Sequence, residues 1–359
     1  MTTIPEMDEG KAEAFADRMV GILNDASTAM LVSLGHRTGL FDVMGDMPPS
    51  SSQQIADAAR LNERYVREWL GGMVVSRIIS YAPAGKTYTL PPEHAAFVTK
   101  AAGADNLATF TQFFPLFGLV EDKIVESFHN GGGVPYSEYP TFQKIMGQIS
   151  AMVHDASMVD VILPLVPGLI EKLDDGIDVA DIGCGQGRAI NVMARAFPNS
   201  RFVGYDFSDE GLSTARTEAA AWGLGNATFE AQDVANLGIT EQYDFMTSFD
   251  AIHDQAKPGK VLAGIAHALK PGGTYLMVDE DASSYLEKNL DHPIGPLLFA
   301  FSVFHCMTVS LALGGEGLGT IWGVELAQEM LEAAGLTVQA IKRVEGDIEN
   351  AYFITTKQA

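Results

Sequence analysis

Apolar positions near the start of the chain recur every three or four residues, which is a helical period. Phe15, Met19, Ile22 and Leu23 form one stripe, and Met30, Leu31 and Leu34 form another. Gly35 and Gly39 punctuate the run, so the pattern predicts two helices over 10–45. Serines 50–52 cap a short helix ending at Ala59, and Asn62 caps a second ending at Leu70. Such side chains accept from the first N–H groups of a helix, which have no partner in the helix itself. The runs 79–81 and 87–90 flank a turn at 82–86 and read as a hairpin.

Helix, turn, helix and hairpin in that order make a winged-helix pattern over 10–100. Residues 104–170 read as mostly helical, broken by a Gly-Gly-Gly-Val-Pro loop at 131–135. This stretch is dense in aromatics, among them Phe113, Phe117, Tyr136, Tyr139 and Phe142. They serve either as helix packing or as a pocket wall.

From Asp178 the period changes. Strands are predicted at 179–182, 201–205, 227–231, 243–249, 273–279, 338–344 and 351–356. Helices are predicted at 188–196, 210–222, 259–269 and 324–334. Alternation of this kind predicts an α/β fold with a doubly wound, Rossmann-like sheet of seven strands. The connection at 345–349 is too short for a crossover, so the last pair should be antiparallel. Three segments follow: 10–100, 101–170 and 171–359.

Charge narrows the partners. The formal net charge is -23, which opposes binding to phosphate backbones and anionic membranes. Neither nucleic acid nor membrane is an expected partner. Two cysteines, Cys184 and Cys306, are too few for a disulfide framework or a four-cysteine zinc cage, and no metal is expected. The first fifteen residues are acidic and lack an apolar leader segment, so a cytoplasmic location is expected. The apolar run 296–313 approaches spanning length. Ser302, His305, Thr308 and Ser310 interrupt it and no Lys or Arg flanks it closely, so it is expected to be a buried helix.

Candidate chemistry begins at Asp181-Ile-Gly183-Cys-Gly185-Gln-Gly187, between a predicted strand and helix. Glycines let a turn tighten and a ligand approach the backbone. The dinucleotide fingerprint needs glycines at i, i+2 and i+5, whereas here they fall at i, i+2 and i+4. An acid at Asp181 would suit a ligand ammonium group better than a pyrophosphate. Asp206 and Asp233 follow the next two strands, where a carboxylate can meet ribose hydroxyls and an adenine amino group. Three acids at consecutive strand ends point to one ligand along the sheet's carboxyl edge.

The segments VADIGCGQG, FVGYDFS, AQDVANL, YDFMTSFDAIHDQ and LKPGGTYLMVDE, in that order, resemble the five motifs of class I S-adenosylmethionine-dependent methyltransferases. The region in front resembles the winged-helix domain of small-molecule O-methyltransferases, where it forms the dimer interface. The resemblance implies S-adenosylmethionine as cofactor, a small-molecule acceptor and a homodimer. It implies that Asp181, Gly183, Gly185 and Gly187 hold the methionine end of the cofactor. Asp206 would bind the ribose, Phe207 would flank the adenine, and Asp233 and Val234 would read its edge. Phe249 would border the sulfonium. His253, in a His-Asp pair after the fourth strand, would be the catalytic base. Gln255-Ala256 departs from the usual Trp-Ser/Pro there, which weakens the carry-over of a phenolic acceptor.

Around this centre, Glu280 and Asp281 are candidates to orient His253. Phe142, Met152, His154 and His305 are candidate substrate-lining residues. Cys184 reads as a small filler of the glycine turn. The expected function is methyl transfer to a small, partly apolar acceptor through a hydroxyl. The alternatives are N-, S- or C-methyl transfer by alignment alone, or a winged-helix regulator that senses a ligand. In the last case Arg64 and Arg67 would be the phosphate contacts, but Glu63 and Glu68 stand beside them.

Overall fold

The computed structural model describes residues 7–357, so part of the leader reading, residues 1–6, lies outside the described residues. The chain divides into two compact units after Pro115.

In the first unit, α1 (Glu9–Thr38) runs through Gly35 and ends at Gly39, whose left-handed backbone caps it. Gly35 is therefore a packing position, not a stop. A Cβ there would lie 2.5 Å from the rings of both Phe41 and Trp69. After α2 (Leu40–Gly45), α3 (Ser52–Ala59) starts with Ser51 and Gln54 bonded reciprocally to each other's backbone. Asn62 caps α4 (Glu63–Val75), which runs past the predicted end because Met73 continues its buried face. Strands β1 (Ser80–Ala82) and β2 (Thr87–Thr89) pair antiparallel as the wing, and α5 (Pro92–Val98) follows. The core of this unit gathers Phe41, Ile55, Trp69, Leu70 and Met73. Each large apolar side chain so buried contributes about 1.5–3 kcal/mol. The outer stripe of α1 stays uncovered: Phe15, Met19, Ile22, Leu23, Met30 and Leu34 are exposed.

Helix α6 (Phe113–Asn130) begins at the division, and α7 (Phe142–Ser157) and α8 (Leu169–Asp175) lead to the sheet. The alternating part runs β3 (Asp178–Ile182), α9 (Arg188–Ala196), β4 (Arg201–Asp206), α10 (Asp209–Ala221) and β5 (Ala227–Ala231). It continues with β6 (Tyr243–Phe249), α11 (Pro258–Ala268) and β7 (Leu269–Glu280). An insert carries α12 (Gly295–Phe301) and α13 (Met307–Ala312), followed by α14 (Gly323–Ala333), β8 (Leu336–Lys342) and β9 (Asn350–Lys357).

Strand order is β5-β4-β3-β6-β7-β9-β8. Strands β3 to β7 pair in parallel, and β9 is antiparallel to both neighbours. The pleat divides the core into two layers. Val179 and Phe245 face one layer, and Ala180, Ile182 and Met246 the other. Strand order reverses between β3 and β6, which opens a crevice at their carboxyl ends.

The stretch Gly295–Ala312 is long and apolar enough to cross a membrane. Several of its polar groups bond within the protein. Thr308 Oγ1 accepts from the Val134 amide and Ser310 Oγ donates to the Gln255 carbonyl, both at 2.8 Å. The Phe304 carbonyl accepts from Tyr139 Oη at 2.6 Å. A wider π turn at 302–306 separates α12 from α13 and carries His305 and Cys306 into the interior.

Candidate active site

The glycine turn closes the crevice from the β3 side. Gly183, Gly185 and Gly187 all have positive φ, at 73°, 51° and 71°. Their jobs differ. Cβ atoms at Gly183 and Gly187 would strike Ala251 and Phe229 at 2.5 Å, so those two glycines serve packing. The space beside Gly185 is open apart from Gln143 Oε1 at 4.0 Å. Cys184 packs against Gly204, and burial pushes its thiol well up, as suits a filler.

Asp206 ends β4 and faces this turn. Its Oδ2 accepts from the Gly185 amide at 2.8 Å and its Oδ1 from the Ser208 amide at 2.7 Å. Asp181 is buried in β3 and accepts from Thr247 Oγ1 at 2.7 Å. Burial lifts its carboxyl to about 7, with the Thr247 bond opposing the shift. Phe207 is 61% exposed, a free aromatic face beside Asp206. Asp233 is given a local task, accepting from the Ala235 amide and the Asn236 side chain. Val234 is buried in the second core layer.

His253 lies on the turn after β6, buried, with its Nδ1 2.8 Å from Asp279 Oδ1. Neither Glu280 nor Asp281 orients it. Side chains of adjacent strand residues point to opposite faces, so Glu280 faces away from the side on which Asp279 meets the histidine, and Asp281 lies past the end of β7. Glu280 adds its backbone amide to Asp279 at 3.0 Å, and Asp281 pairs with Arg343. A further donor is Trp322 Nε1, also 2.8 Å from Asp279 Oδ1. Cys306 is an electrostatic neighbour of His253, and its sulfur lies 3.7 Å from His305 Nδ1. Burial alone would lower the histidine's pKa, but the Asp279 carboxylate and Cys306 outweigh it and hold it well above 6.5.

An aromatic cluster forms the facing wall. His305 stacks on Phe142 with ring centroids 3.6 Å apart and planes 7° from parallel. Tyr136 and Tyr139 meet His305 edge-on at 5.1 and 4.9 Å. Burial drives His305 to about 3, so it is neutral, and its Nε2 has no hydrogen-bond partner. Tyr136 also meets Phe207 edge-on at 5.5 Å, and Asp254, Asp206 and Cys306 are its electrostatic neighbours. It therefore joins the Asp206 side of the crevice to the histidine side. His154 sits apart from this cluster, 4.7 Å from the Phe249 ring, with Nδ1 unpartnered. Met152 is half-buried on the same helix.

Two family models match the chain: an Rv2258c-like winged HTH domain over residues 26–100, and a methyltransferase domain over 173–298. The chain is a winged-helix protein of the class I methyltransferase fold. Solved structures with that fold include mitomycin 7-O-methyltransferase and human N-acetylserotonin methyltransferase in complex with SAM. The first matches at 17% identity and TM-score 0.70 over 97% of this chain and 99% of that one. The second matches at 16% and 0.68 over 99% and 100%. Among curated relatives, malonyl-[acyl-carrier protein] O-methyltransferase of Bacillus cereus is 24% identical over 36% of this chain. Ubiquinone biosynthesis O-methyltransferase of Serratia proteamaculans is 31% identical over 32% of it. The match spans 42% and 45% of those two proteins' own lengths.

Within this methyltransferase-fold protein, sequence reasoning named His253, Asp206, Phe142 and His305; Phe142 and His305 pack on Tyr136, Asp206 is its electrostatic neighbour, and His253 is held separately by Asp279. It missed Asp279, Trp322 and Cys306 as neighbours of the histidine. Asp279 was legible in part, since it stands in the VDE ending of β7. Trp322 had no spacing signal.

Proposed function

We propose that this chain is an S-adenosylmethionine-dependent methyltransferase acting on the hydroxyl of a small, partly apolar acceptor, with His253 as general base. The observation that carries the reading is the buried His253–Asp279 pair at the carboxyl edge of the sheet of a methyltransferase domain. Asp181, the open side of Gly185, Asp206 and Phe207 fit the cofactor. They offer a carboxylate for an ammonium group, backbone room, a carboxylate for ribose hydroxyls and an aromatic face. Asp233 and Val234 border the adenine end, Gly183 and Gly187 shape the turn, and Phe249 borders the sulfonium.

The bound cofactor supplies an electrophilic methyl group. The protein's task is alignment, holding nucleophile and methyl about 3–3.5 Å apart without intervening water. Phe142, Met152, His154 and His305 line the acceptor's side. Nδ1 of His253 donates to Asp279, which leaves Nε2 to take the acceptor's proton as the oxygen attacks. Asp279 then stabilises the imidazolium. Aromatic and neutral imidazole surfaces favour a partly apolar acceptor. The uncovered stripe of α1 supports a two-fold homodimer through the winged-helix region.

A calorimetric titration with S-adenosylhomocysteine tests the reading, with binding at micromolar strength or better expected. No heat and no thermal shift at millimolar ligand would overturn it.

A further inference from the structure

We propose that Trp322 is a positioning residue that sets the protonation of His253 through Asp279, an assignment that rests on His253 being the base. Three donors converge on Asp279 Oδ1: His253 Nδ1 and Trp322 Nε1 at 2.8 Å and the Glu280 amide at 3.0 Å. Oδ2 of the same carboxylate is buried and has no partner. An indole N–H can only donate. It therefore holds Asp279 as an acceptor and draws charge from the very oxygen that faces the imidazole. Removing it should strengthen the hold of Asp279 on the imidazolium.

Trp322 is itself fixed. It is buried, and its carbonyl accepts from Ser284 Oγ at 2.6 Å. The glycine-rich segment before it grips the loop of the base. The Gly319 amide donates to the His253 carbonyl and the Glu316 amide to the Ala256 carbonyl, both at 3.1 Å. One segment thus controls both the backbone of the base and its partner carboxylate. The other two tryptophans do different work: Trp69 donates to the Leu31 carbonyl, and Trp222 lies under Arg188 and Arg195.

The test is an NMR pH titration of the histidine ring carbons in the full-length protein, with the His253 signal assigned by its loss in His253→Gln. Trp322→Phe should raise the His253 pKa by about one pH unit. Asp279→Asn should lower it, and Trp322→Phe added to Asp279→Asn should shift it no further. An unchanged titration in Trp322→Phe overturns the proposal, as does an equal shift with Asp279 already replaced. If Trp322→Phe does not fold, 5-fluorotryptophan labelling substitutes for it. The more acidic indole should lower the His253 pKa, and no movement refutes the role. Failure of the base assignment is read separately, from turnover of His253→Ala, and failure of the methyltransferase reading from the calorimetric titration.

Discussion

The amide of Gly185 donates to Asp206 Oδ2 at 2.8 Å, so the glycine turn and the acid at the end of β4 form one structure. In the proposed cofactor site, the open side of Gly185 and the remaining lone pairs of Asp206 would face the same ligand. Asp206→Ala should weaken S-adenosylhomocysteine about 10–100-fold, the range for losing hydrogen bonds to a charged group. Calorimetry checks this, and an unchanged Kd would remove Asp206 from the ribose site.

His253→Ala should lower kcat about 10²–10⁴-fold on a hydroxyl acceptor while leaving cofactor affinity essentially unchanged. Because Asp279 favours the imidazolium, the free base is lost as pH falls through a value above 6.5. The kcat–pH profile should show that acid limb. Wild-type turnover in the variant would instead indicate a sulfur, nitrogen or already ionised acceptor.

Asp181 should make cofactor binding depend on pH. Burial lifts its carboxyl to about 7, and a bound ammonium group would need it ionised, so proton and ligand compete. Affinity for S-adenosylhomocysteine should fall up to about tenfold per pH unit below that value. Asp181→Asn should bind more weakly and show a flat profile. Isothermal titrations across the range give the answer.

Glu349 should destabilise the fold at alkaline pH. Burial and, next, the Asp347 charge raise its pKa from 4.5 to about 7. The folded state therefore favours the protonated acid. Its stabilising contribution is complete below 4.5 and is lost as pH rises through about 7. Glu349→Gln should leave Tm unchanged at low pH and raise it by about 2–4 °C at alkaline pH. Equal shifts at both extremes in thermal scans would count against this.

On α1, Phe15 is 62% and Leu23 63% exposed. If α1 forms the proposed two-fold interface, replacing both with Glu should turn the dimer into a monomer in sedimentation at micromolar concentration, because buried charge is costly at an apolar interface. A wild-type monomer would overturn the dimer.

The sequence alone determined what depends on near neighbours. Helix α9 and strand β6 lie where their periodicity places them, and Ser51 and Asn62 cap the helices they precede. Alternation of strand and helix was enough for a parallel sheet, and the short 345–349 link for its antiparallel end. Asp181, Asp206 and His253 were legible as candidates because they lie near the end of a strand, end one or follow one. Tertiary structure alone decided which acid holds His253. Asp279 and Glu280 are adjacent in sequence but face opposite sides of β7, and the strand's rotation in the sheet selects between them. It alone brought Trp322 and Cys306 to the histidine and made Tyr136 the link between the two sides of the crevice. Contacts between residues far apart along the chain follow no sequence period. They exist only once the two core layers have closed on the sheet.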